Sequence, residues 1–324
     1  MSSSPCFTFR FFIPLFVVML SCSNGSEVPK QNPVSTEPFV LVLGNIQDAG
    51  SPQAACSKEC CRKLFETPDP SRKVVSLGLI DPASGARYLF EAGPDFKEQL
   101  QELNQQTGMP KSSPWPDGIF ITHAHTGHYT GLLHLGKESM NAKNCEVYVL
   151  PRMQRFLEQN APWSQLCTLG NIQLRPLKSD SSQQLSARLS VKALQVPHRD
   201  EFSETAGFLI QGPNKSLLFI PDIDKWEKWQ TDIIELIKTV DYALLDGTFY
   251  SAAEIKNRTL SEIPHPLVTE SLQLFQSLSR GDKQKVHFIH FNHTNPLLDS
   301  TSEEQTTLQK QGFQIAKYKQ RFTL

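Results

Sequence analysis

The sequence predicts an α/β fold in which two β-sheets pack face to face and helices cover both outer faces. Runs rich in β-branched and aromatic residues occur in both halves of the 324-residue chain, and helical segments follow them in each half. No Pro/Gly/Ser-rich linker divides the halves, so we predict one domain over residues 38–324. A hydrophobic content of 39% is sufficient for a large core.

The first half begins with strands. We predict strands at Phe39–Gly44, Val74–Ile80 and Tyr88–Ala92 from their β-branched and aromatic content, and a helix at Asp95–Asn104. Gly118–Thr122 (GIFIT) is a short apolar strand that leads directly into a histidine-rich segment. The histidines are therefore expected at the end of a strand.

The rest of the chain alternates between strands and helices. The turn residues Gly212-Pro213-Asn214 predict a hairpin between two of the strands. The predicted strands are Glu146–Leu150, Ser190–Val196, Gly207–Gln211, Ser216–Ile220, Tyr242–Leu245 and Val286–His290. The predicted helices are Tyr129–Leu135, Arg152–Gln159, Ile233–Thr239 and Leu267–Leu278.

The N-terminal residues have the pattern of an export signal. Arg10 precedes a short apolar run, Phe11–Leu20, that is shorter than a membrane span and is followed by Ser21 and Cys22. This pattern resembles a bacterial lipoprotein signal, which predicts a signal peptide over residues 1–21, a lipidated Cys22 and a tether over residues 22–37. The expected location is periplasmic or at the cell surface of a bacterium, anchored to the membrane through lipid. The alternative is an ordinary secretory signal that is cut nearby.

The charge balance restricts the partners. With 32 basic and 33 acidic residues the net charge is −1. The chain thus lacks the excess of basic residues that would indicate a nucleic-acid partner. A small-molecule substrate is the expected partner, and the sequence does not indicate an oligomeric state.

Three cysteines lie close together in a segment expected to be a loop. Cys56, Cys60 and Cys61 form a C-x3-C-C pattern, whereas Cys145 and Cys167 are isolated. An exported protein permits disulfides, so a bridge within or from this group is one interpretation. A small structural zinc site that uses two or three of the thiolates is the other.

The segment Thr122–His128 (THAHTGH) carries three imidazoles in six residues. His123 and His125 stand two apart where a strand ends, so both rings can face one point, and His128 follows at the start of the next helix. Crowded imidazoles are unfavourable without a common role, and neutral imidazole is a preferred ligand of Zn2+. A metal site is therefore predicted, with an exposed histidine cluster as the alternative.

This segment resembles the T-H-x-H-x-D-H signature of the metallo-β-lactamase superfamily, with Gly127 in place of the aspartate. The superfamily's later motifs follow in the same order. They are resembled by Val196–Arg199 (VPHR), Leu217–Asp222 (LLFIPD), Asp241–Thr248 (DYALLDGT) and Phe288–His293 (FIHFNH). The resemblance implies the αββα sandwich of the metallo-β-lactamase fold.

Within the superfamily, the chain is most similar to the coenzyme PQQ synthesis protein B family. The segments that match its pattern are Phe288–Asp299, Leu245–Thr248, Ala92–Asp95 and Thr130–Leu133, and the likeness covers nearly all of residues 38–324. This chain differs from that family in its fuller set of histidines and in Asp222. It is in that respect closer to the hydrolytic members of the superfamily.

The resemblance implies two metal sites. His123, His125 and His198 would form the first, and His128, Asp222 and His290 the second, with Asp222 bridging. Gly127 removes a carboxylate from the second site, so its metal is expected to bind weakly or to be absent.

Two other aspartates have expected roles near these sites. Asp224 could supply the missing carboxylate, although capping of the following helix, Lys225–Trp229, is the simpler interpretation. Asp95 is expected to orient the rim of the site.

The predicted activity is that of a metal-dependent hydrolase. Zinc lowers the pKa of a bound water from 15.7 to about 7, which supplies a nucleophile for a phosphodiester, ester or lactone. The cofactor is one or two Zn2+, with Fe2+ or Mn2+ as alternatives. Asp222 and His293 are the expected catalytic residues, with His293 as a proton donor to the leaving group or, alternatively, a solvent-facing residue at the rim. His134, His265 and His287 are expected to be structural.

Two other functions remain open at this point. The first is an iron-dependent oxygenase or hydroxylase, as the PQQ-related likeness implies. The second is a metal-binding lipoprotein without enzymatic activity.

Overall fold

Two mixed sheets pack face to face in the computed structural model, which describes residues 1–2, 36–106, 113–255, 259 and 262–324. Cys22, the predicted signal peptide beyond its first two residues and most of the predicted tether lie outside these residues. Residues 36–324 form a compact unit of their own. Among the described residues, no helix has the length and the apolar run needed to cross a bilayer.

The first sheet has seven strands among the described residues, in the order β14-β1-β2-β3-β4-β5-β6. Its strands are β1 (Phe39–Gly44), β2 (Ser76–Asp81), β3 (Ala86–Phe90), β4 (Gly118–Phe120), β5 (Cys145–Val149), β6 (Ile172–Pro176) and β14 (Arg321–Thr323). Neighbours from β14 to β3 are antiparallel, and those from β3 to β6 are parallel.

The second sheet, in the same described ranges, also has seven strands, in the order β13-β12-β11-β10-β9-β8-β7. They are β7 (Ser182–Gln184), β8 (Ser190–Val196), β9 (Thr205–Gln211), β10 (Ser216–Ile220), β11 (Tyr242–Asp246), β12 (Val286–Ile289) and β13 (Gln314–Ile315). Strands β10 to β13 are parallel, so their carboxyl ends share one edge.

Helices cover the outer face of each sheet. The helices among the described residues are α1 (Glu59–Glu66), α2 (Phe96–Gln105), α3 (Thr126–Tyr129), α4 (Pro151–Gln159), α5 (Trp163–Thr168), α6 (Ile233–Thr239), α7 (Val268–Leu274), α8 (Arg280–Lys285) and α9 (Glu303–Lys310). The first sheet packs against α2, α4 and α5, and the second packs against α6, α7 and α9. The predicted αββα sandwich is confirmed.

Aromatic side chains fill the space between the sheets. Phe90 stacks on Phe120 with ring centroids 4.8 Å apart, and Phe208 of the opposite sheet meets both rings edge-on at 5.4 and 5.6 Å. All three side chains are fully buried. This apolar layer fixes the spacing of the two sheets and hence of the side chains at their shared edge.

Three helices differ from the sequence prediction. The segment with Cys60 and Cys61 is helix α1 rather than a loop. Leu267–Leu278 divides into α7 and a 3₁₀ turn, Phe275–Ser277. Tyr129–Leu135 is not one helix, because α3 ends at Tyr129 and a 3₁₀ segment, Thr130–Leu135, continues the chain.

Candidate metal centre

The ends of four strands, drawn from both sheets, deliver the side chains of one buried centre. His123 and His125 follow β4, and His198 follows β8. Asp222 follows β10 and His290 follows β12. Parallel strands bring their carboxyl ends to one edge, which is why residues far apart in the sequence meet there.

His123, His125 and His198 form the first cluster. One ring nitrogen from each lies within 4.8 Å of the others. The closest pair is His123 Nε2 and His125 Nδ1, at 2.7 Å. Thr122 Oγ1 lies 2.8 Å from the opposite nitrogen of His123, which fixes the ring with Nε2 toward the cluster.

The second cluster consists of His128, His290, Asp222 and Asp48. Asp48 was not expected from the sequence. His128 Nε2 lies 2.9 Å from Asp48 Oδ1 and 3.0 Å from Asp222 Oδ2. His290 Nε2 lies 3.1 Å from Asp48 Oδ1 and 3.2 Å from Asp222 Oδ2. Two nitrogens and two oxygens therefore enclose a small volume.

The second cluster fits a small cation. Ligands about 2.0–2.1 Å from a tetrahedral zinc lie about 3.3 Å from one another, close to the observed separations. Within the described residues, Asp222 Oδ2 is buried and makes no aligned hydrogen bond, despite its short contacts with His128 and His290. Such a buried oxygen is unfavourable unless a cation or a proton compensates it.

Asp222 connects the two clusters. Its Oδ2 faces His128 and His290, while its Oδ1 lies 3.8 Å from His198 Nε2 of the first cluster. A carboxylate with one oxygen toward each set of imidazoles has the geometry of a ligand shared by two cations.

Polar groups contact the Nδ1 atoms of His128 and His290, whose Nε2 atoms face the second cluster. Glu91 Oε1 lies 3.2 Å from His128 Nδ1, and Thr248 Oγ1 lies 2.9 Å from His290 Nδ1. Glu91 and His290 both have positive φ angles, 73° and 67°. Such strained backbone outside glycine is uncommon and persists where the surroundings determine it, as at functional sites.

Burial and opposite charges shift the pKa values of this set. Burial alone would raise the pKa of the Asp222 carboxyl, but the imidazoles of His290 and His128 hold it well below its usual range. Burial would likewise raise the pKa of Asp48, but His128 and His290 together hold it well below its usual value. Burial would lower the pKa of His128, yet Asp48 and Glu91 raise it well above the usual value. Three carboxylates thus surround His128, an excess of negative charge that suits a cation.

In the first cluster, by contrast, the pKa values of the histidines are lowered. Burial lowers the pKa of His198 to about 4, and burial together with His128 lowers that of His123 far below its usual value. Neutral imidazole is the form that binds a metal, so these rings are ready as ligands.

His265 lies beside the centre, although it was expected to be structural. Its Nδ1 is 2.8 Å from Asp246 Oδ2 and 3.5 Å from Asp222 Oδ1. Burial would lower its pKa, but Asp246 raises it. The only sequence signal was its place between Pro264 and Pro266, which gave no reason to connect it to the strand ends.

A cavity of about 620 Å³ opens beside this centre. Its walls include His265 and His293 and the charged side chains Lys58, Arg199 and Glu254. An Arg199 guanidinium nitrogen lies 3.3 Å from His125 Nε2, so this cation stands where the cavity meets the first cluster. A pocket of this size accommodates a small organic molecule.

The structure places His293 with the three cysteines. Ligand atoms of Cys56, Cys60, Cys61 and His293 lie within 4.8 Å of one another. All described cysteines are unpaired, so no disulfide forms within this group. Three thiolates and one imidazole are a common donor set of structural zinc, which favours the zinc interpretation over the disulfide.

Other residues singled out in the sequence lie outside the centre. Asp95 accepts a hydrogen bond from Val74 N at 2.7 Å, and Glu91 rather than Asp95 supports a histidine. Asp224 pairs with Lys228 at 2.7 Å and does not replace the missing carboxylate. Asp224 also does not cap the following 3₁₀ turn, Trp226–Lys228, because the residue directly before that turn is Lys225.

Two histidines occupy structural positions, as expected. His134 stacks on Phe96 with ring centroids 5.9 Å apart. His287 meets Phe322 edge-on, with ring centroids 4.9 Å apart.

Comparison with known proteins identifies the family. Residues 86–291, well over half of the chain, match the family model described as the beta-lactamase superfamily domain. The chain belongs to the beta-lactamase superfamily.

Within this superfamily, the chain is similar to proteins of one group in particular. It is 25% identical over 310 residues to coenzyme PQQ synthesis protein B of Nitrosococcus oceani, a match that covers 86% of this chain and 97% of that protein. The predicted resemblance to both the superfamily and the PqqB-like group is confirmed.

Two solved structures share the fold. One is zinc-bound PqqB from Methylobacterium extorquens, with a TM-score of 0.73, 22% identity, and coverage of 88% of this chain and 100% of that one. The other is a diphosphatase from the PhnP family, with a TM-score of 0.61, 19% identity, and coverage of 89% and 97%.

Proposed function

We propose that this protein is a metal-dependent hydrolase that acts on a phosphodiester, ester or lactone. The observation that carries the proposal is the position of Asp222, which turns one carboxylate oxygen toward each of two imidazole clusters beside an open cavity. The fold is compatible with this class of reaction, because a solved structure that shares it is named a diphosphatase.

His123, His125 and His198 would hold one divalent cation, and Asp48, His128 and His290 a second, with Asp222 between them. Bound there, such cations lower the pKa of a coordinated water and polarise phosphoryl or carbonyl oxygens. Zn2+ suits the histidine-rich donor set, and Fe2+ and Mn2+ are alternatives.

The protein's own side chains would orient the substrate and move a proton. Arg199, at the junction of the cavity and the first cluster, can bind an anionic or carbonyl oxygen. His265 lines the cavity and is oriented by Asp246 at 2.8 Å, so it can donate a proton to the leaving oxygen. His293, which the sequence suggested for this step, also lines the cavity but belongs to the cysteine group.

The test compares Asp222→Asn with Asp224→Asn, a matched change two residues away that leaves the clusters untouched. Zinc-loaded protein is assayed with a phosphodiester, a carboxylic ester and a lactone. We expect kcat/KM for one class to fall about 100-fold or more in Asp222→Asn and to stay unchanged in Asp224→Asn. Equal turnover by wild type and Asp222→Asn, or no turnover of any class, would overturn the proposal.

A second candidate is a PqqB-like, iron-dependent oxygenase. The observation that favours it is the similarity to coenzyme PQQ synthesis protein B over nearly the full length of that protein. His123, His125, His198 and Asp222 supply histidine and carboxylate donors of the kind that non-haem iron uses. Iron in protein purified without oxygen, together with substrate-dependent oxygen consumption, would favour this candidate over hydrolysis.

We also propose that the protein is exported and anchored through Cys22, as the N-terminal pattern predicts. A surface or periplasmic location would give the enzyme access to substrates outside the cytoplasm.

A further inference from the structure

The carboxylate of the second cluster comes from an unexpected part of the chain. The superfamily signature has an aspartate directly before the histidine at position 128, and this chain has Gly127 there. Asp48 lies 80 residues before His128, in the segment that follows strand β1. Even so, its Oδ1 is 2.9 Å from His128 Nε2 and 3.1 Å from His290 Nε2.

Asp48 occupies the space that a side chain at position 127 would need. A Cβ atom added to Gly127 would lie 2.5 Å from Asp48 Cα and 2.7 Å from Asp48 Oδ1. Heavy atoms do not approach so closely without displacement of the backbone. Asp48 in this position and an aspartate at position 127 are therefore mutually exclusive.

The backbone around Asp48 is fixed to the strand end that carries His290. Gln47 N donates to Phe291 O at 2.9 Å, and Phe291 N donates to Asn45 O at 2.8 Å. These two bonds flank Ile46, and Gln47 is the residue directly before Asp48. The carboxylate is thus held against the two imidazoles by main-chain contacts rather than by a freely moving loop.

We propose that Asp48 is a ligand of the second cation and replaces the carboxylate that Gly127 removes. The glycine is then a requirement of the site, because it makes room for the segment that carries the substitute ligand. The inference concerns the same centre as the proposed function, but it rests on cation binding and not on hydrolysis. It replaces the expectation that the second site would be weak or absent.

The test changes each of the two positions separately and measures metal binding. The variants are Asp48→Ala, Asp48→Asn and Gly127→Ala. Asp224→Asn is the matched control, since it removes a nearby carboxylate that pairs with Lys228. Metal per chain is measured by mass spectrometry after dialysis, and affinity by competition with a chelator; circular dichroism confirms folding.

We expect Asp48→Ala and Asp48→Asn to bind one cation fewer than wild type, or to bind it at least about 100-fold more weakly. Gly127→Ala is expected to lose the same cation, because its Cβ would lie 2.5 Å from Asp48 Cα and would displace the segment that carries the carboxylate.

Two results would overturn the proposal. One is unchanged metal content and affinity in folded Asp48→Ala. The other is a folded Gly127→Ala that binds the second cation as tightly as wild type. Loss of one cation in Asp48→Ala, in a protein that hydrolyses none of the three substrate classes, would support this inference and count against the proposed function alone.

Discussion

Replacement of Glu91 by glutamine tests how strongly the orientation of the His128 ring contributes to metal affinity. The Glu91 side chain is fully buried, with Oε1 3.2 Å from His128 Nδ1 and Oε2 3.3 Å from Thr122 N. Glutamine has nearly the same shape but a single acceptor oxygen. If that oxygen keeps the Thr122 N–H, an NH2 group faces His128 and opposes the tautomer whose Nε2 is free for a cation.

The expected size follows from this contact. Loss of a partner behind a metal-bound histidine typically weakens metal binding 10- to 100-fold, or about 1.4–2.7 kcal/mol. We place Glu91→Gln toward the lower end, because the carboxylate approaches His128 at ion-pair distance without aligned hydrogen-bond geometry. The first cluster should keep its affinity, since Thr122 Oγ1 rather than Glu91 supports His123.

The assay is a chelator competition that resolves the two binding steps. Glu204→Gln is the control, because Glu204 is another buried carboxylate, which caps the start of helix α4 through Arg152 N and Met153 N. The reasoning fails if Glu91→Gln binds both cations as tightly as wild type, or if the control weakens the same step equally.

Four further expectations concern other parts of the molecule. His265→Gln should lower kcat about 100-fold or more with little change in KM or metal content, and loss of the metal instead would contradict its role as proton donor. Phe208→Ala should lower the free energy of unfolding in urea by about 3–5 kcal/mol, whereas Phe65→Ala, at an exposed position, should change it little; equal effects would refute the assigned inter-sheet core. Cys61→Ser should bind one zinc fewer than wild type without loss of the two central cations, and an unchanged zinc count would exclude a zinc held by the cysteine group. Cys22→Ser should move the protein from the detergent phase to the aqueous phase in phase separation, and a wild type that stays aqueous would rule out the lipid anchor.

Most of the centre could be predicted because its residues lie where strands end. The apolar runs before His123, Asp222 and His290 fixed the strands, and the direction of parallel strands then brings their ends together. The strands β1 and β8 and the helix α6 have the predicted bounds for the same reason, since their apolar patterns are strong and local.

The residues that were missed depend on tertiary contacts without a local pattern. Asp48 meets His290 across 242 positions of sequence, and no periodicity records such a contact. Glu91 contributes through a positive φ angle, which a non-glycine residue adopts only when its surroundings impose it. Helix α1 was missed because it is short, and seven of its eight residues are at least partly exposed. Its apolar residues Cys60, Cys61, Leu64 and Phe65 recur at helical spacing, but over only eight residues, too short a pattern to separate a helix from a loop.

The first cluster draws His123 and His125 from one sheet and His198 from the other. A cation held by all three would therefore connect the two sheets of the sandwich, in addition to any role in catalysis. Because a ligand that binds only the folded state stabilises it by RT ln(1 + [L]/Kd), free zinc at 1,000 times its Kd would add about 4 kcal/mol to the unfolding free energy. The midpoint temperature of thermal unfolding should thus rise with the free zinc concentration. Removal of zinc should lower the free energy needed to separate the two sheets.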